Sequence, residues 1–234
     1  MLVKEWQLAE FQRCSARLWF ATQNESLSIV PLDSPRPITT ATRWLWAQQL
    51  RTGNKATLKA AKHKWGQAVT SWGIENTLST KEIRDYITKH LQAYIDYWQW
   101  YVNTSLEPLV VGQPFRLQFK ENVLVSIPEV ILIDEKENLV VSNVSDDNSN
   151  HDTITNYTYR ARLLAASTLQ KANIKMLNFR FNGRLEKATL DSSTLCNQEL
   201  IRNITWAMDS IAAKVNMPIM NCTFQCPYKE KCFR

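Results

Sequence analysis

The sequence predicts an α/β protein in which an N-terminal helical region wraps a core of short strands and helices. Three observations predict it. Apolar residues recur at helical spacing from the N-terminus to about residue 104, and from Pro108 the period changes to short runs rich in β-branched residues. With 44% hydrophobic and 21% charged residues over 234 positions, the chain can also bury a sizeable core. One domain is expected over residues 1–234, with a mainly helical region at 2–105, an α/β core at 108–215 and a cysteine-rich tail at 216–234.

Each element follows from local pattern. Leu2, Trp6, Leu8, Ala9, Phe11, Leu18 and Trp19 give residues 2–21 an apolar helical face, which the proline-punctuated PLDSPRP at 31–37 ends. Helices are expected again at 39–52, 56–70 and 80–104. The last carries Tyr86, Tyr94, Tyr97, Trp98, Trp100 and Tyr101 every three or four residues, a stripe that suits a helix core better than a base-stacking platform. QPFRLQF, NVLVSI, EVILI and NLVVSNV read as strands, with a turn at 135–138. A helix at 154–172, a strand at 175–182, a turn at Asn182-Gly183, a strand at 184–190 and a helix at 197–215 complete the order.

Composition excludes several classes. No run approaches the roughly 18 apolar residues that span a bilayer. The N-terminus also lacks the pattern of a secretory signal. A cytoplasmic setting with reduced thiols is therefore expected, or a particle assembled in the cytoplasm, with no membrane partner. Only 5 glycines occur where an average chain would hold about 16, and none lies in a GxGxxG or GxxxxGK[ST] loop. Nucleotide-binding loops of those kinds are absent.

The formal charge of +6 is unevenly spread. Residues 1–66 carry 10 basic and 4 acidic side chains, residues 153–234 carry 12 and 5, and residues 121–152 carry 1 and 8. Basic segments flanking an acidic one suit a surface that grips a polyanion such as DNA beside a carboxylate cluster that holds a cation. An ordinary solvated surface with an acidic loop is the other reading. Arg13, Arg17, Arg43, Arg51, Lys55, Lys59, Lys62 and Lys64 are the candidate nucleic-acid contacts.

Three of the five cysteines, Cys222, Cys226 and Cys232, fall within the ending NCTFQCPYKEKCFR. Thiolates this close in a reduced compartment suit zinc or an iron–sulfur centre, with Cys14 or Cys196 as the fourth ligand. Free buried thiols are the plainer reading.

FQRCSARLWF near the start and CPYKEKC at the end together resemble the iron–sulfur RecB-like nucleases of the PD-(D/E)XK superfamily, which include the AddB nuclease domain and the CRISPR-associated RecB-like exonucleases. ATRWLWAQQLRTGNKATLKAAKHKW is similar to the family's helical region, VSIPEVILIDEKENLVVSNVSDDN to its catalytic hairpin, YRARLLAASTLQKANI to the following helix and MLNFRFNGRLEKATL to the closing strands. The resemblance implies a restriction-endonuclease-like core and a 4Fe-4S cluster held by Cys14, Cys222, Cys226 and Cys232. The gap between Cys222 and Cys226 is one residue longer than the family commonly has.

In active members, carboxylates bind divalent ions that activate water, and a lysine supports the charge developing on the phosphate. The resemblance puts Glu129 at the first acidic position, where it could bind Mg or Mn, but Asn143 and Ser145 where the second Asp and the Lys should be. Asn keeps one coordinating oxygen and loses the charge; Ser supplies no cation. The expected early histidine is missing near Thr42 and Arg43, and the family's later Gln and Tyr are Ala161 and Ala165. A degenerate site follows, unless Asp146 or Asp147 has taken the acidic role.

Three functions stand open on this reading. One is a non-catalytic nucleic-acid-binding or accessory subunit, which the lost motif residues favour. Another is a metal-dependent DNA exonuclease with a migrated site. The third is a structural component of a mobile-element or virion assembly, for which Trp44 and Trp46 or Trp98 and Trp100 would supply interface anchors if exposed.

Overall fold

A computed structural model describes residues 1–14, 18, 36–146, 157–169, 173–182, 184–191 and 197–214. They form a mixed α/β structure with six helices and two mixed sheets among the described residues. The chain opens with strand β1 (Leu2–Lys4) and helix α1 (Glu5–Arg13), followed by helices α2 (Pro37–Thr52), α3 (Leu58–Glu75) and α4 (Thr80–Asn103). Strands β2 (Glu107–Val111), β3 (Phe115–Phe119), β4 (Asn122–Ser126), β5 (Val130–Ile133) and β6 (Leu139–Ser145) come next. Helix α5 (Tyr157–Ser167), strands β7 (Ile174–Asn182) and β8 (Arg184–Asp191) and helix α6 (Asn197–Ala212) complete the order.

The larger sheet runs β2-β5-β6-β7-β8, with β6 and β7 parallel and the other pairs antiparallel. The central β6 is buried along nearly its whole length, as expected of a strand covered on both faces. Alternation sorts its residues. Val140 and Val144 join the core under α2, α3 and α4, whereas Leu139 and Val141 join the cluster under α5. Asn143 and Ser145 therefore belong to the α5 face.

A smaller sheet, β1-β4-β3, packs with α1, α5 and α6 around Val3, Leu8, Leu124, Ala165 and Met208. Leu2–Lys4 were expected to begin the first helix. They instead pair in parallel with Val123–Val125, and the helix starts at Glu5. Three residues are too few for their pattern to separate a strand from a helix start. Strand β2 also went unforeseen, because Pro108 obscured it; it is an edge strand, where a missing N–H is tolerated.

The aromatic stripe of α4 is core. Tyr94, Tyr97 and Tyr101 are fully buried, and Trp98 and Trp100 pack against the same cluster. Trp46 is buried too, donating to the Tyr97 hydroxyl at 2.9 Å, and Trp44 is half-buried against that core. None of these four tryptophans forms the exposed patch that would have favoured the assembly reading. The turn is where the pattern put it: Asp134 Oδ1 accepts from the backbone N–H groups of Lys136 and Asn138, and Glu137 takes a left-handed φ of 61°.

Candidate functional site

Four elements bring a buried ionic centre together between the α5 face of the large sheet and the start of α1. Extending the β5–β6 register by one step sets Glu129 across from Asn143. Glu129 is 4% exposed and Asn143 fully buried. The hairpin alignment thus does bring these two residues to one place. One Glu129 oxygen, Oε2, accepts from the Val144 backbone N–H at 2.5 Å.

Arg162, on α5, fills the space between them. Its Nη1 donates to Glu129 Oε1 at 2.9 Å and to Asn143 Oδ1 at 2.8 Å. From its other edge, Nε and Nη2 donate to Glu5 Oε1 and Oε2 at 3.0 and 3.3 Å, a two-pronged pairing. Glu5, at the first turn of α1, accepts a further bond from Ser126 Oγ on β4 at 2.9 Å. Asn143 donates through Nδ2 to Asn178 Oδ1 at 3.0 Å on β7. One guanidinium therefore joins α1, α5 and the β5–β6 hairpin.

Burial acts on both sides of the pair, holding the Glu5 carboxyl above its usual range although Arg162 pulls it down. Burial opposes the charge on Arg162, yet Glu5 and Glu129 outweigh it and hold its pKa above the usual arginine range. Burial lowers the pKa of a second arginine, Arg43, with Glu129 pulling in the other direction. Arg43 sits on α2, its Nε buried without a hydrogen-bond partner and its stem against Gly112. A Cβ at Gly112 would lie 3.4 Å from Arg43 Cδ, and the φ of +60° there independently favours glycine.

The remaining motif positions are committed elsewhere. Ser145 is hydrogen-bonded to Tyr159 of α5, whose pKa is raised by burial. Asp146, the proposed substitute carboxylate, accepts from the Tyr86 hydroxyl and pairs with Arg36 at 3.5 Å, on the side of the helical layer. Asp147, Arg17, Cys222, Cys226 and Cys232 lie outside the described residues, as does Cys196. Cys14 is buried, directly after α1.

This centre does not fit a catalytic Mg or Mn ion. A divalent ion would need the Glu129 and Asn143 oxygens that face Arg162, and would have to share the space with a guanidinium. Two like charges a few ångströms apart in a buried site repel strongly. Among the described residues no group of three or more His, Cys, Asp and Glu side chains is gathered at metal-binding distance.

The basic side chains take up different roles. Lys59 and Lys62 are exposed on α3, and Lys64 is half-exposed. Lys55 instead donates to the Val102 and Thr104 carbonyls, covering the C-terminal end of α4, where a positive charge is favoured. Arg51 donates to Gln48 Oε1 at 2.6 Å, and Arg13 closes α1. Pattern alone did not single out Arg162 or Glu5. The available signal was an arginine inside the apolar stretch ARLLAA, since a charge in a buried helix stripe needs a partner.

No family model and no curated protein matches the chain. Among solved structures, the one described as "Crystal structure of SSO0001" is similar with a TM-score of 0.37 and 11% identity, over 84% of this chain and 82% of that one. No helix among the described residues is long and apolar enough to cross a membrane.

Proposed function

We propose that this chain is a non-catalytic member of the RecB-like PD-(D/E)XK nucleases that keeps a 4Fe-4S cluster and serves as a nucleic-acid-binding or structural accessory subunit. The observation that carries this reading is Arg162 seated between Glu129 and Asn143, where an active member would hold its divalent ion. The lost Asp and Lys at Asn143 and Ser145 support it, as do two basic segments around the acidic hairpin. Phosphate contacts would come from exposed lysines such as Lys59 and Lys62 rather than from Lys55, which is bonded to backbone carbonyls.

The test is a cleavage assay on single- and double-stranded DNA with Mg or Mn, using protein purified without oxygen. No cleavage is expected, together with DNA affinity that falls steeply with salt. Metal-dependent cleavage that is abolished by Glu129→Ala would overturn the non-catalytic reading. Affinity indifferent to salt would remove the nucleic-acid part and leave a structural role.

A further inference from the structure

We infer that Arg162 is the resident cation of this centre: its guanidinium does the structural work of a divalent ion and, by doing so, keeps such ions out. For the class of ion excluded, the inference rests on the reading above; for the position, it rests only on geometry. Arg162 binds three groups, Glu5, Glu129 and Asn143, that come from α1, the residue just before β5, and β6. Oxygen donors converging from separate elements are what a hard divalent cation requires. Two carboxylates and an amide oxygen are the set left behind if the guanidinium is removed. The side chains of Arg162, Glu5 and Glu129 are 11%, 12% and 6% exposed, so bulk water cannot readily replace the guanidinium.

The arrangement also explains why the residue is arginine. A lysine ammonium is a point charge and could not reach both edges of this centre, whereas the planar guanidinium presents Nε and Nη2 to Glu5 and Nη1 to Glu129 and Asn143. Charge balance runs the same way. Removing Arg162 leaves Glu5 and Glu129 facing each other in a buried site, where they must either take up a proton or share a divalent ion, so the Mn2+ site should strengthen as the pH rises.

The experiment measures Mn2+ binding by electron paramagnetic resonance and thermal unfolding on the full chain, in wild type, Glu129→Ala, Arg162→Ala, and Arg162→Ala combined with Glu129→Ala. Wild type is expected to bind no Mn2+ that Glu129→Ala abolishes. Arg162→Ala is expected to melt below wild type in chelator and to gain a Mn2+ site. At about 100 times its dissociation constant, Mn2+ should raise the melting temperature of that variant by roughly 5–10 °C. The double variant should show neither the site nor the rise. If Arg162→Ala cannot be folded in chelator, refolding in Mn2+ replaces that comparison, and folding only with the ion supports the inference. A Glu129-dependent Mn2+ site in wild type would overturn it; so would a folded Arg162→Ala that binds no Mn2+, or one that folds in neither condition. Cleavage of DNA by wild type would instead strike the non-catalytic reading, so the two failures are distinct.

Discussion

At the scale of single residues, the centre holds elements together, with one buried guanidinium joining two carboxylates and an amide. A carboxylate kept for metal catalysis is usually poorly paired in the absence of the metal, and removing it costs little stability. Glu129 is bonded to Arg162 and to the Val144 N–H, so truncating it takes one of two carboxylates from a buried guanidinium and leaves a buried N–H unpaired. Glu129→Ala is expected to lower stability by about 1–3 kcal/mol, read as a shift in the urea midpoint at constant slope. A neutral result would mean that the pair is not structural. His90 makes a second residue-scale prediction. Burial first, then neighbouring Lys89, holds its pKa below the ordinary value, and its Nδ1 is buried without a hydrogen-bond partner. The unfolded chain therefore takes up a proton at higher pH than the folded one. Stability should be full above about pH 6.5 and fall as the pH drops from there towards the folded pKa. Replacing His90 with Gln should flatten that part of the stability profile, and an unchanged slope would count against it.

At the scale of elements, one feature sets how closely α3 packs on α4 and another starts α4. Gly73 lets the helices approach so closely that a Cβ there would meet Ile83 Cγ1 at 2.4 Å. Ser79 opens α4 with a capping box, its hydroxyl accepting from the Glu82 N–H while the Glu82 carboxylate accepts from the Ser79 N–H. Gly73→Ala should cost about 1–3 kcal/mol by overpacking. Ser79→Ala should cost about 0.5–2 kcal/mol by loss of the cap. Both are measured by denaturant unfolding, and equal stability of either variant with wild type would refute the corresponding contact. Legibility in the sequence divides at this scale. Long periodic segments such as α4 were readable because side-chain spacing reports a buried face, and the β5–β6 hairpin was readable from β-branched runs around a turn. Leu2–Lys4 was not, since a three-residue strand is defined by its partner β4 rather than by its own pattern. The centre was half legible: Glu129 immediately precedes β5, Asn143 lies on the paired β6, and both follow from hairpin register, but Arg162 and Glu5 reach them from 19 and more residues away through packing that no local pattern encodes.

At the scale of the whole molecule, the N-terminal helix and the last described helix are neighbours, and this bears on the cysteines. Leu8 and Phe11 of α1 share a core with Ile204, Ala207, Met208 and Ile211 of α6, and the Phe11 and Trp206 rings meet edge to face at 5.5 Å. Cys14 follows α1 directly, with its N–H bonded to the Glu10 carbonyl. If the four cysteines hold a 4Fe-4S cluster, the protein purified without oxygen should be brown, with iron and sulfide in equal amounts. Cys14→Ser should lose most of that absorption and iron, and should melt at a lower temperature, because a cluster bound only by the folded chain adds its binding free energy to stability. Cys196→Ser, outside the ligand set, should keep both colour and melting temperature. Zinc in place of iron would keep the tether and remove the cluster. Cys14→Ser with unchanged metal content would remove Cys14 from the ligand set altogether.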